Sequence, residues 1–139
     1  SPRGDQICYV SDRAGKPQIY LIPAAGGSPN RLISDREEAV SPDWSPVSNQ
    51  VAFSTRMGSQ YVIAVTDMKD GQRRRRIVTQ AAGDWESPSW APDGRHVVAS
   101  RSLSGRRELF MVDTWYGKLN PITRNADHSL PAWSGLISP

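Results

Sequence analysis

A tryptophan followed by Ser or Ala recurs at even spacing along the chain, and this recurrence constrains the fold more than any other feature. The fullest copy is Ser87-Pro88-Ser89-Trp90-Ala91-Pro92-Asp93-Gly94. It ends one strand, turns, and begins the next. Pro92 presets the φ of the turn, and Asp93-Gly94 tolerates unusual backbone angles. The stretch returns as Ser41-Pro42-Asp43-Trp44-Ser45-Pro46 and, truncated, as Leu130-Pro131-Ala132-Trp133-Ser134-Gly135. Ser1-Pro2-Arg3-Gly4-Asp5-Gln6-Ile7 is the second half of a further copy without its Trp. Units counted from the residue after each Trp begin at Ser1, Ser45, Ala91 and Ser134, at spacings of 44, 46 and 43. That period suits four short strands per unit.

Each unit has the same internal order. A first apolar run is Ile7 to Val10, Val51 to Phe53, or Val97 to Ala99. A polar glycine turn follows, around Gly15, Gly58 and Gly105. The second run is Ile19 to Ile22, Val62 to Val65, or Leu109 to Val112. After Gly26-Gly27, Asp70-Gly71 or Tyr116-Gly117 comes a shorter, more polar strand: Arg31 to Ser34, Arg76 to Thr79, or Pro121 to Thr123. The runs are β-branched or aromatic and bounded by turn residues, and no helical period is sustained. Eleven Gly and eleven Pro, dispersed rather than tandem, are the turn punctuation of such a chain.

The expected fold is all-β, a set of β-propeller blades forming one fragment over residues 1–139. The repeat units are 1–44, 45–90 and 91–133, with 130–134 as a closing inner strand. The Trp strand is innermost, and the last short strand blunts the outer edge with Arg, Asn and Pro. Propellers typically have four to eight blades, so three units are half of a six-bladed ring. Ile7 and Tyr9 on the first run, and Leu130 and Trp133 on the last, are then the assembly strands. Exchange of the last strand between two copies would complete a ring, so a homodimer is expected.

Composition narrows the partners. The net charge of +3 is too small for a nucleic-acid footprint, and no stretch is apolar enough to enter a membrane. Cys8 is the single cysteine, which excludes an internal disulfide. No charged-then-apolar leader stands at the N-terminus. Gly-x-Ser-x-Gly, His-x-x-x-His, a phosphate loop and a cysteine pair are all missing from the sequence. The expectation is a non-catalytic chain that needs no cofactor.

One column stands out, six residues before each Trp: Glu38, Asp84 and Asp127. Beside it lie Trp85 and His128, then Glu86. These loops lead into the innermost strands and so ring one mouth of the channel. Glu38, Asp84, Trp85, Glu86, Asp127 and His128 are therefore the candidate partner-binding rim, with Trp85 as aromatic anchor. Glu38, Asp84 and Asp127 would make at most a weak cation site; calcium suits carboxylates, but one acid per blade is a loose cage. The alternative is that these acids form Asx-type turns that cap the loops. Three other motifs have structural readings. Arg3-Gly4-Asp5 aligns with the turn after the Trp strand, Asp12-Arg13 belongs to a hairpin turn, and Arg73 to Arg76 split between the two faces of an outer strand.

The units resemble those of the TolB-type propeller. Ser11-Asp12-Arg13, Gly15 and Gln18-Ile19-Tyr20 match its pattern in unit one, and Pro88 to Gly94 match it in unit three. Leu130-Pro131-Ala132-Trp133-Ser134 resembles the strand that closes such propellers. Ser54-Thr55-Arg56, Val47-Ser48 and Ser100-Arg101 depart from the pattern. The resemblance implies a periplasmic binding scaffold of the Tol–Pal envelope system that engages the lipoprotein Pal on its propeller. The family's amino-terminal α/β region, which carries its TolA contact, is not part of the match. Two other readings compete: a half-propeller whose main property is self-assembly into a ring, and the propeller segment of an oligopeptidase-type hydrolase.

Overall fold

The computed structural model describes residues 1–68 and 73–136, so the expected turn at Asp70-Gly71 lies outside the described residues. Three antiparallel sheets form, one per unit. The first contains β1 (Gln6–Ser11), β2 (Gln18–Pro23) and β3 (Asn30–Arg31). The second runs β4 (Ala39–Trp44), β5 (Gln50–Met57), β6 (Gln60–Asp67), β7 (Arg76–Ile77). The third runs β8 (Asp84–Trp90), β9 (His96–Leu103), β10 (Arg106–Asp113), β11 (Leu119–Pro121). Each Trp strand is at the inner edge, and strand order follows the sequence. Among the described residues no helix is long and apolar enough to cross a membrane.

Strand periodicity explains the stacking of the sheets. Along β5 successive side chains point to opposite faces. Val51 and Phe53 pack toward the first sheet with Ile19, Leu21, Leu32 and Ile33. Ala52 joins Trp90, Val97, Ala99 and Val112 of the third. The middle blade is thus apolar on both faces, which is why its two central strands read as nearly continuous apolar runs.

The outer strands are shorter than their sequences suggest. Only Arg76 and Ile77 of Arg76 to Thr79 pair in the ladder, as do Asn30 and Arg31 of the first unit. The third outer strand begins at Leu119, two residues early. The following residues leave the ladder but keep its hydrogen bonds. Val78 N–H donates to the Ile63 carbonyl (2.9 Å), and the Thr79 hydroxyl accepts from Ile63 N–H (2.9 Å). Thr123 repeats this on Leu109. A side-chain oxygen here replaces a ladder carbonyl and ends the strand.

Each inner strand carries a bulge. The register slips between Val40 and Asp43, and between Glu86 and Ser89. Ser41 and Ser87, each followed by Pro, take φ of 52° and 55°. The bulge re-aims the next residues toward the neighbouring blade. Asp43 Oδ2 accepts from Trp90 N–H (2.6 Å), and Trp90 Nε1–H donates to the Asp43 carbonyl (3.1 Å). Leu130 has the same left-handed φ of 55°, although it is a leucine and 78% exposed.

Leu130 to Ser134 forms no ladder, so the closing strand is not paired in the single chain. Its placement nevertheless follows the repeat. Trp133 N–H donates to Ser89 Oγ (2.9 Å), the same inner-strand link that joins Trp90 to Asp43. At the other end β1 has no inner neighbour among the described residues. Val51 and Val97 are fully buried beneath Trp44 and Trp90, whereas the equivalent Ile7 is 51% exposed.

Gly83 is fixed by close approach to backbone. Gly83 has φ +109°, and an added Cβ would stand 2.7 Å from the Ser102 carbonyl. Gly83→Ala is expected to cost about 2 kcal/mol, read as an earlier midpoint in urea unfolding. Gly58→Ala, in a hairpin turn open to solvent, is expected to cost only about 1 kcal/mol.

Candidate functional site

The starts of the inner strands and the hairpins between the two middle strands lie at the same end of the blades. That end carries the acidic column. Asp84 Oδ1 accepts from Tyr61 N–H (2.8 Å), at the start of β6 in the preceding blade. Asp127 Oδ1 does the same for Arg107 N–H (3.2 Å), at the start of β10. His128 N–H donates to the Arg107 carbonyl (2.8 Å), as Ala39 N–H does to Pro17 (3.0 Å). Asp84 and Asp127 therefore satisfy backbone donors at the starts of β6 and β10, bonds to a strand about twenty residues away rather than Asx-type turns within their own loops.

Glu38 differs for a covalent reason. The backbone position equivalent to Tyr61 and Arg107 is Pro17, which has no N–H to donate. The Glu38 carboxylate is released from capping and stands near the Tyr61 hydroxyl, where its charge favours the neutral phenol. Burial, followed by this contact with Glu38, pushes the Tyr61 phenol up to about 12. The Arg56 guanidinium lies 5.0 Å from the centre of the Tyr61 ring. The Glu38 carbonyl accepts from Thr55 Oγ1 (2.8 Å) and Arg56 N–H (3.1 Å). Arg75 reaches Thr55 Oγ1 (2.9 Å) and the Arg56 carbonyl (3.2 Å), and pairs with Asp35 (3.2 Å). Glu86 is close enough to disfavour ionisation of Tyr61.

Two sequence expectations are corrected. Trp85 is fully buried, with its ring edge-on to Phe110 (5.2 Å) and Nε1–H on the Ala81 carbonyl (3.0 Å). It anchors the core between the second and third blades and offers nothing to a partner. The acids do not assemble a cation site: among the described residues no three of His, Cys, Asp and Glu come together in a metal-binding group. Asp84 and Asp127 are spent on backbone donors of different blades.

The structure thus brings Glu38 and Glu86 into one neighbourhood around Tyr61, with Asp84 on its backbone. Asp127 and His128 belong to the next blade. Sequence reasoning missed Tyr61, Arg56 and Arg75. A proline at one copy of a capped position was the available signal for the altered role of Glu38. Of the arginine run, Arg75 bonds within its own blade and pairs with Asp35 of the first unit, whereas Arg76 turns toward the third, where its Nη1 donates to the Thr114 carbonyl (2.6 Å).

The repeats find their counterparts in one family. Residues 1–137 match the TolB beta propeller domain. A TolB homologue of Chlorobium chlorochromatii is 33% identical over 111 residues, covering 80% of this chain and 24% of that protein. TolB from Acinetobacter baumannii superposes with a TM-score of 0.82 at 29% identity, over 95% of this chain and 33% of that one. Dipeptidyl peptidase 4 of Porphyromonas gingivalis shares the fold at 16% identity (TM-score 0.68), over 86% of this chain and 17% of that one. This chain spans about a quarter to a third of these two TolB relatives.

Proposed function

Since the chain belongs to the TolB β-propeller family, we propose that it is a non-catalytic scaffold that binds a protein partner at the Glu38–Tyr61 end of its blades. The observation that carries this reading is the release of Glu38 by Pro17. One acid in the column, unlike its two counterparts, serves no backbone donor. It stands beside a half-buried tyrosine and an arginine, a combination suited to a hot spot. By resemblance to TolB, the partner is a peptidoglycan-associated lipoprotein of the Pal type, and the setting is the periplasmic Tol–Pal system.

The test is calorimetric titration of the chain with the soluble domain of a Pal-type lipoprotein. Glu38→Gln and Tyr61→Phe are expected to weaken binding at least about tenfold. Both substitutions keep the backbone bonds made by the Glu38 carbonyl, so the fold survives them. Asp127→Asn, in the next blade, is expected to change affinity little. No measurable binding, or equal binding by all three variants, would overturn the reading.

Completion of the ring is the second part of the proposal. Trp44 Nε1 is buried and has no hydrogen-bond acceptor among the described residues, whereas the equivalent Trp90 Nε1 donates to the Asp43 carbonyl of the inner strand beside it. An inner strand on β1 would give Trp44 the matching carbonyl. In the chain on its own, residues 130–134 of a second copy are the segment with the right sequence. By register, its Trp133 would face Ile7 and its Ala132 would face Cys8.

A further inference from the structure

The opposite end of the blades carries a feature that the rim reading does not use. The turn Thr114 to Gly117, between β10 and β11, presents Trp115 and Tyr116, 63% and 79% exposed. The turn is tightly held. Asp113 Oδ1 accepts from Trp115 N–H (2.9 Å) and Tyr116 N–H (3.3 Å), and Gly117 N–H donates to the Asp113 carbonyl (2.8 Å). Arg95 grips Asp113 through Nη2 (2.6 Å) and Nε (3.3 Å). The same guanidinium lies 4.7 Å from the Trp115 ring and 5.4 Å from that of Tyr116. Thr114 Oγ1 donates to the Arg95 carbonyl (2.7 Å), closing the frame.

Folding of this turn does not call for aromatic residues. The equivalent connection of the first unit carries Ala25-Gly26-Gly27 in these places. The two rings are therefore an addition that the first unit's connection, closed by Gly26 N–H on the Pro23 carbonyl (2.9 Å), does without. They wall a cleft of about 260 Å³ whose other side is the end of the second blade. Arg76, Ile77 and Gln80 line that side. β7 is the outermost strand of its sheet, so one of its backbone edges has no strand partner among the described residues. Arg76 is the charged residue of the lining, and Lys118 directly follows its Gly117.

We propose that this cleft docks an extended acidic peptide segment of a partner protein, with carboxylates toward Arg76 and apolar side chains on Trp115 and Tyr116. An exposed sheet edge accepts a peptide backbone, and alternate side chains of the added strand then face opposite walls. A nucleic acid or a polysaccharide could use the charge and the rings but not the backbone edge. The site is independent of the Glu38 face.

The probe is a fluorescein-labelled octapeptide alternating Glu and Val, followed by anisotropy at low salt. It is expected to bind the chain, and the Lys-Val counterpart is expected not to. The double variant Trp115→Ala, Tyr116→Ala and the single variant Arg76→Gln should each weaken binding by about tenfold or more. Both rings are solvent-exposed, so the double variant should keep its urea midpoint, separating lost docking from lost fold. Absence of binding, binding unchanged by the substitutions, or equal binding of the Lys-Val peptide or of an eight-nucleotide oligothymidylate would overturn the proposal.

Discussion

Trp85→Ala is expected to lower the unfolding free energy by about 3–5 kcal/mol, the largest single-residue effect in the chain. Domains of this size have about 5–15 kcal/mol in total, so the variant would sit near the edge of folding. The reason is placement. Trp85 shares one apolar cluster with Ile63, Val65 and Val78 of the second blade and Phe110 and Val112 of the third. Truncation opens a cavity between two sheets that touch mainly through such side chains. Arg101 aggravates the loss, because its guanidinium rests 4.4 Å from the Phe110 ring and 5.7 Å from that of Trp85. Trp85→Phe restores the volume in part but leaves the Ala81 carbonyl without its indole donor, a loss of about 1–2 kcal/mol. Urea unfolding followed by circular dichroism measures both. Trp115→Ala, an exposed tryptophan, is the control and should change stability by no more than about 0.5 kcal/mol. Equal stability of the Trp85→Ala protein and the wild type would remove Trp85 from the core.

The 139-residue chain on its own is expected to elute as a dimer of about twice 15.4 kDa. Ile7 lies bare where Val51 and Val97 are fully buried, and the Trp44 indole N–H lacks the carbonyl that its counterpart has. Both deficits are met by a strand of the Leu130 to Ser134 type. Leu130, exposed and left-handed, would then enter the same bulge that Ser41 and Ser87 occupy beside paired strands. Ile7→Asp places a charge on that edge and Trp133→Ala removes the inserted ring. Each is expected to weaken association by at least about thirtyfold, the scale of an interface hot spot. Because Ile7 is already exposed in the single chain, Ile7→Asp should leave the strand signal in circular dichroism intact. Light scattering on a sizing column reads the mass. A wild-type monomer that unfolds cooperatively would refute strand exchange.

Much of this architecture is legible in the sequence because repetition supplies its own control. Trp44 and Trp90 mark the inner strands, and the β-branched runs after them become the paired middle strands at nearly the expected bounds. The outer strands were harder to bound. Leu32, Ile33, Val78 and Thr79 continue a strand-like pattern, yet they leave the ladder and turn inward as buried residues. Pattern records that a side chain is buried, but not whether its backbone still pairs.

The rim divides in the same way. The acidic column is visible in three copies, and its capping use follows from the short reach of Asp toward a neighbouring N–H. Trp85, in the same loop, misled because an aromatic beside acids can line a mouth or fill a core with equal sequence cost. Its burial depends on how the second and third blades face each other, and no local signal carries that angle.

The sequence by itself determined the repeat, the strand order within each blade and the turns between strands, because these rest on hydrophobic alternation and on the backbone limits of Gly and Pro. Only the tertiary structure decided which member of each column is spent on the fold. Asp84 and Asp127 close hydrogen bonds that Glu38 cannot, because Pro17 has removed the donor on the adjoining strand. That difference arises between residues about twenty positions apart, where one blade meets the next.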